Sequence, residues 1–383
     1  MAGKMTGAEI LLHRLHNQRI LTGRVGKPAD VVRWLGAVQA QDYPGSLWAV
    51  GLRAGGATAA EVEKAVRDRE IVRTWPMRGT LHFVPAADAR WMLALLTRRP
   101  VARAAALHRR LEIDRATVSR AARAVGKALQ GGKLLARGVL YRLLESSGIP
   151  VEGQRGLHIL WLLAQQGLIC FGPRQGKQHT FALLEEWLPA VPVVPREVAL
   201  ATLAERYFSS HGPATLRDFA WWTGLAVSDA REGLEKVKPR LAGDTSNGSG
   251  IWMKSSPPTG RDAGAFFLLP TFDEYMVGYT DREAALEAAR SRRIAVTAAQ
   301  ALSSVMLRDG LVVGTWRRTL QKDAVTVTPA FFIEPGRKDR AAFDDAANAY
   351  GRFLGIPATI GKDEERTLLH PHGRSSRRHG GLA

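Results

Sequence analysis

The stretch Val38-Gln39-Ala40-Gln41-Asp42 places three side chains able to act on a substrate just where an apolar helical run ends. Glutamine is uncharged and a poor nucleophile. Its carbonyl accepts a hydrogen bond from a water, and its amide donates one to an oxygen. Two such groups together can position a water but are no strong base at neutral pH. The plainer alternative is a solvated, polar helix end. Geometry separates the two. On a continuing helix, residues 39 and 41 point about 200° apart. On an extended segment they share a side, with Ala40 and Asp42 opposite. A joint site therefore requires the helix to stop near Val38. Asp42 is the competitor, because a carboxylate is the better activator of water. Asp42 also suits a turn before Tyr43-Pro44-Gly45.

The elements around this stretch follow from capping signals and periodicity. Thr6-Gly7-Ala8-Glu9 is a capping box, and Ala8, Leu11, Leu12 and Leu15 follow at helical spacing. Val31, Trp34, Leu35 and Val38 form a second stripe. Thr58-Ala59-Ala60-Glu61 opens a third helix through about Arg69. The period then changes to two. Residues 71–75 and 80–84 read as strands joined by Pro76-Met77-Arg78-Gly79, with Arg78 at the tip. Helices followed by a hairpin are the plan of a winged helix.

The plan recurs. Residues 139–167 hold two helical runs, followed by LICFGP and HTFALL around the basic loop Arg174-Gln175-Gly176-Lys177-Gln178. A third unit begins with Leu200, Leu203, Ala204 and Tyr207 on one face. Thr215 caps LRDFAWWTG, Ser228 caps the next helix, and GDTSNGSG is a loop or wing tip. Trp221 and Trp222 read as core of this unit. From residue 263 the pattern alternates, with Arg308-Asp309-Gly310 as a hairpin turn, and predicts a small β-barrel or sheet. The expected division is 1–100, 101–195 and 196–262 for three helical units, 263–337 for the barrel, 338–366 for a closing helix and 367–383 for a disordered basic tail. The fold class is α+β.

The chain has 383 residues, and 54 Lys and Arg outweigh 36 Asp and Glu to give +18. A polyanionic partner explains such a bias, since each neutralised phosphate releases counterions. A genome rich in Arg codons is the other reading. The single cysteine, Cys170, excludes an internal disulfide framework and a cysteine-rich zinc site and suits a reducing cytoplasm. No apolar run has the roughly 18 residues of a membrane span. A P-loop is missing, no spacing suggests a metal, and no lysine stands in a clear nucleophile setting. No cofactor and no lyase step are expected.

Several stretches together resemble one family: AVQAQDYPGSLWAVGLR, RTWPMRGTLHFVPAADARWML, RYFSSHGPATLRDFAWWTGL, LLPTFDEYMVGYTDR and DGLVVGTWRR. Their order and their spread over residues 10–335 resemble the AlkZ-like (YcaQ-related) DNA glycosylases. The resemblance implies three tandem winged helices and a C-terminal β-barrel. It also implies hydrolysis of the N-glycosidic bond of alkylated purines, including crosslinks through guanine N7. Members carry Gln-x-Gln or Gln-x-Asp at the active site. Gln39-Ala40-Gln41 is the first type, which resembles the crosslink-unhooking, self-resistance branch. Positioning chemistry then suffices: an N7-alkylguanine is already cationic, departs neutral and needs no general acid, and the oxocarbenium-like sugar needs a water held against it.

Further site residues are expected around this pair. Arg73, Arg78, Thr80 and His82 of the first hairpin and Arg174 and Lys177 of the second are candidate DNA contacts. Trp75 is a base-stacking or core residue. Asp273, Glu274 and Tyr275 are candidates for orienting arginines or the catalytic segment, because acidic groups repel phosphates. The expected partner is double-stranded DNA bearing alkylated guanine, met by a monomer in the cytoplasm at the nucleoid, away from membranes. A winged-helix transcriptional regulator is the rival reading. It would pair as a dimer on a palindrome.

Overall fold

A computed structural model describes residues 5–22, 26–244, 250–254, 264–291 and 296–363. The expected loop at 243–250 and the tail 367–383 lie largely or wholly outside these residues. Helix α1 (Gly7–Asn17) starts on the Thr6–Glu9 capping box. Helix α2 (Pro28–Leu35) ends at Gly36, whose φ of 82° no β-carbon residue adopts easily. The chain leaves that glycine extended. Strand β1 (Val38–Gln39) pairs antiparallel with β3 (Thr80–Pro85), Gln39 opposite His82. The helix thus stops before the glutamines. Asp42, which also suited a turn before Tyr43-Pro44-Gly45, stands at the N-cap position of helix α3 (Tyr43–Arg53), which those three residues open. A proline in the first helical turn loses no hydrogen bond, which is why the sequence tolerates it there. Helix α4 (Ala59–Arg67) follows on the Thr58–Glu61 box.

Strand β2 (Ile71–Met77) and β3 form the first hairpin around Arg78 and Gly79, both left-handed at φ 54° and 76°. Two positive φ values give the turn the twist that a two-residue hairpin needs. Strands β4 (Leu135–Ala136), β5 (Ile169–Phe171) and β6 (Thr180–Leu183) belong to the second unit. The expectation of two separate wings needs correction. Arg73 of β2 pairs with Phe171 of β5, so both hairpins lie in one six-stranded sheet, ordered β1-β3-β2-β5-β6-β4. Edge-to-edge pairing satisfies backbone groups that two isolated wings would leave to water. The third unit has its own small sheet, β7 (Ala214–Thr215), β8 (Ala242–Asp244) and β9 (Ile251–Met253), ordered β7-β9-β8. Its helices are Arg196–Ser210, Leu216–Thr223 and Val227–Val237. Thr215 caps the second of these as expected. Ser228 does not cap the third; Ala226 holds that position, and Ser228 falls in the first turn. Trp222 is core, whereas Trp221 is 44% exposed.

The C-terminal sheet joins β10 (Phe266–Leu269), β11 (Val305–Arg308), β12 (Leu311–Leu320), β13 (Val325–Phe331) and β14 (Ala358–Ile360) in sequence order. Strands β10 and β14 each have one neighbour, so of the small β-barrel or sheet expected here the structure forms a curled half-barrel that does not close. The helix Arg337–Leu354 packs against both edge strands and takes the place of closure. That helix ends at Leu354, and the segment after it adds β14 parallel to β13. The turn at Asp309-Gly310 is where it was expected.

Three cores meet at the first hairpin. Ile71 and Phe83 pack with α1–α4 and the C-terminal sheet. Val72, Met77 and Val84 pack with the third unit. Trp75 and Leu81 pack with the second. The hairpin, and β1 beside it, therefore sit where all parts of the chain converge. The first and last parts share a single core. Trp48 Nε1 donates to the Leu268 carbonyl at 2.7 Å, from 220 positions away. Among the described residues, no helix is long and apolar enough to cross a membrane.

Candidate active site

The glutamine segment is fixed at every residue. The Gln39 N–H donates to Glu274 Oε1 at 2.8 Å. Its side-chain oxygen accepts from Arg78 Nη2 at 2.9 Å. The Ala40 N–H donates to the Leu81 carbonyl at 2.7 Å. The Ala40 carbonyl accepts from Arg73 Nε and Nη2 at 3.0 and 2.8 Å. Gln41 Oε1 accepts from the Leu81 N–H at 3.3 Å. Arginine and a backbone N–H only donate, so chemistry fixes which end of each carboxamide is the oxygen. Both amide nitrogens are left without a protein partner among the described residues.

Gln41 is exposed and lines a cleft of about 1050 Å3. Gln39 is 7% exposed and reaches the cleft wall through Arg78. The cleft is lined by the aromatics Trp75, Phe171 and Trp161, by Thr80 and His179, and by the cations Arg73, Arg78, Arg103, Arg137, Arg142 and Lys177. None of its lining residues is an aspartate or glutamate.

Arg73, Arg78 and Thr80, expected as DNA contacts, line the cleft, and the two arginines also hold the glutamine segment from within the protein. Arg73 is 4% exposed, and its guanidinium holds the peptide between the glutamines. Burial lowers it to about 10, against the pull of Tyr43 and Asp42. Arg78 stands at the hairpin tip, but the tip is plugged into the third unit. Its Nη1 donates to the Trp222 carbonyl, and Nη2 serves Gln39 and lies 3.4 Å from His82 Nε2. His82 Nδ1–H donates to the Thr80 carbonyl at 3.0 Å, which leaves Nε2 to accept from Arg78. Burial and the Arg78 charge push His82 down to about 3, so it is a neutral buttress at any physiological pH. Trp75 is buried core and also lines the cleft. Thr80 is half-buried on the lining, and its hydroxyl donates to the Met77 carbonyl.

Asp42 accepts from Arg318 Nη2 at 2.7 and 2.8 Å and is absent from the cleft lining. A carboxylate held in that pair on the far side of the segment ties the motif to β12. Arg174 turns inward as well, 3.5 Å from Glu63 and 5.3 Å over the Tyr43 ring. Lys177 remains at the cleft, exposed. Tyr275 donates to the Gly310 carbonyl at 3.0 Å. Asp273 receives two guanidinium nitrogens of Arg53, at 2.7 and 2.9 Å, with both side chains fully buried.

Sequence reading missed Arg53, Arg103, Arg137 and Arg142. The last three had a signal. Residues 98–155 hold thirteen Lys and Arg against four Asp and Glu, half of the whole net charge. Among the described residues none of those thirteen is in an ion pair. Unpaired cations beside a cleft attract a polyanion. Single alanine replacements of Arg137, Arg142 and Lys177 should each weaken DNA binding regardless of sequence. Each should also flatten the slope of log affinity against log salt by about one. Fluorescence anisotropy across a salt series reads this, and an unchanged slope in all three would place the DNA elsewhere.

A basic cleft whose lining holds no carboxylate, beside two neutral glutamines, suits a polyanionic ligand such as a nucleic acid. Residues 32–353 match the AlkZ-like DNA glycosylase family, and the chain belongs to it. It is therefore an enzyme, a DNA glycosylase, and the regulator reading is not favoured. A curated relative named an interstrand DNA cross-link repair glycosylase, from Streptomyces sahachiroi, is 27% identical over 347 residues, covering 85% of this chain and 91% of the relative. The solved structure of Streptomyces sahachiroi DNA glycosylase AlkZ has a TM-score of 0.73 at 25% identity and covers 94% of this chain and 100% of that one.

Proposed function

We propose that this chain, acting alone and without a cofactor, hydrolyses the N-glycosidic bond of N7-alkylguanine in duplex DNA. Bulky adducts and interstrand crosslinks are included in its range. The observation that carries this reading is the cleft, about 1050 Å3 in volume and lined by cations, aromatics and neutral polar groups, with no carboxylate. An uncharged purine would need an acid to leave. N7-alkylguanine carries its own positive charge and leaves neutral, so the site needs only to position water at the anomeric carbon. Gln41, with Gln39 behind it, is assigned that work. The volume supports a bulky lesion, since small-molecule pockets span about 300–1,000 Å3. The name of the Streptomyces sahachiroi relative points to crosslinks independently.

The test is base release from three duplexes: one with 7-methylguanine, one with a nitrogen-mustard monoadduct at guanine N7 and one with the corresponding interstrand crosslink. Abasic sites should form in the alkylated duplexes and not in an unmodified control. Release from an uncharged substrate such as uracil in DNA, with none from the N7 adducts, would overturn the reading.

A further inference from the structure

Glu274 is completely buried, lies outside the cleft and still touches the glutamine strand. Its two oxygens accept from three parts of the chain. Oε1 takes the Gln39 N–H at 2.8 Å. Oε2 takes Trp222 Nε1–H at 2.8 Å and His211 Nε2–H at 3.3 Å. Trp222 then returns to the motif, because its carbonyl accepts from Arg78, and Arg78 holds the Gln39 side chain. The result is a closed ring: Gln39 backbone, Glu274, Trp222, Arg78, Gln39 side chain. Each link is a donor facing an acceptor.

We infer that Glu274 is a positioning residue for catalysis, fixing the Gln39 carboxamide relative to the cleft through this ring. The inference rests on Gln39 being part of the catalytic pair. It also gives the third unit a share in the active site, although Trp222 and His211 do not line the cleft. Burial raises the Glu274 carboxyl, but its surroundings, chiefly the His211 hydrogen bond together with that of the Gln39 N–H, outweigh this and hold it below the ordinary glutamate range, so the acceptor is an anion. Buried and fully hydrogen-bonded, such an anion tolerates almost no displacement.

Glu274→Gln tests this at constant shape. A carboxamide offers one oxygen, whereas Gln39 N–H and Trp222 Nε1–H both need an acceptor. One of the two must then face an N–H2. We expect kcat for 7-methylguanine release to fall on the order of tenfold to a hundredfold, with KM and DNA affinity within about twofold of wild type. In a Gln39→Ala background the same change should cost almost nothing further, because the group being positioned is gone. Hydrogen exchange of the peptide spanning residues 36–42 should quicken at temperatures where the variant is still folded. Trp222→Phe removes one donor and keeps the ring packed. It should act in the same direction more weakly, and it serves if Glu274→Gln does not fold. Wild-type kcat and wild-type exchange in the folded variant would overturn the inference. So would equal losses in the wild-type and Gln39→Ala backgrounds, which indicate a general structural role. Full activity in Gln39→Ala would instead remove the catalytic assignment of Gln39. The exchange measurement stands whether or not N7-alkylguanine proves to be the substrate.

Discussion

Gln41→Ala is expected to release modified base about a hundredfold to a thousandfold more slowly than wild type while unfolding at nearly the same temperature. The two halves of that expectation come from one geometry. Gln41 is exposed, and its only protein hydrogen bond among the described residues is the 3.3 Å contact to the Leu81 N–H. Removing it therefore costs the fold little. At the cleft it is the polar side chain of the motif that a water could reach. Gln39→Ala should lose a similar amount of activity and in addition destabilise by about 1–3 kcal/mol, because Arg78 loses a buried acceptor. Gln39→Glu distinguishes the possible roles of that residue. A carboxylate would keep the acceptor for Arg78 and strengthen that pair, but it has no N–H2 to offer. Loss of activity in Gln39→Glu would show that the free amide donor matters. Activity equal to or above wild type would show that an acceptor, or a base, is what the position needs. Asp42→Asn is the control. Held by Arg318 and outside the cleft lining, it should stay within a few-fold of wild type. Single-turnover rates on a 7-methylguanine duplex, with melting curves of each variant, decide the set. Near wild-type rates in both alanine variants, with Asp42→Asn inactive, would transfer the chemistry to Asp42.

The largest expected effect on stability is at Asp273. Arg53 is fully buried, and its five N–H groups all have acceptors: two on Asp273, two on Gln18 and one on Ala49. Asp273→Ala leaves that guanidinium in the interior with two donors unmet and no counter-charge. A loss of about 3–5 kcal/mol follows, a large share of the roughly 5–15 kcal/mol that holds a typical domain together. Asp273 also accepts from the Tyr275 N–H and so caps the short helix Glu274–Val277. Activity should therefore fall along with stability, since that helix presents Glu274. Asp273→Asn retains an oxygen and should cost less. Replacing the pair together, Arg53→Met with Asp273→Leu, should recover much of the loss, because the penalty lies in the stranded charge. Urea unfolding followed by tryptophan fluorescence gives the numbers. An Asp273→Ala protein within 1 kcal/mol of wild type would show that the guanidinium finds other acceptors or water.

What the sequence by itself determined about this protein was local. The Thr6, Thr58 and Thr215 caps are contained within four consecutive residues each, and all three helices start where they were expected. The Arg78-Gly79 and Asp309-Gly310 turns are likewise local. The glutamine segment was legible as extended once joint action was required of it, and Gly36 enforces it. The ordered stretches marked the family, and the charge count marked a polyanion. What only the tertiary structure decided was which partner each polar side chain meets. Arg73 and Arg78 look identical to surface arginines in the sequence, yet one holds the Ala40 carbonyl and the other the Gln39 side chain. The two hairpins merge into one sheet through a single pairing between residues 73 and 171, and the barrel stays open because a helix covers it. Glu274 finds Gln39 from 235 positions away, and Asp273 finds Arg53 from 220. Capping and periodicity act over a few residues and leave a pattern there. A buried hydrogen bond between distant segments leaves none, because it is selected by the packing of three cores around one hairpin.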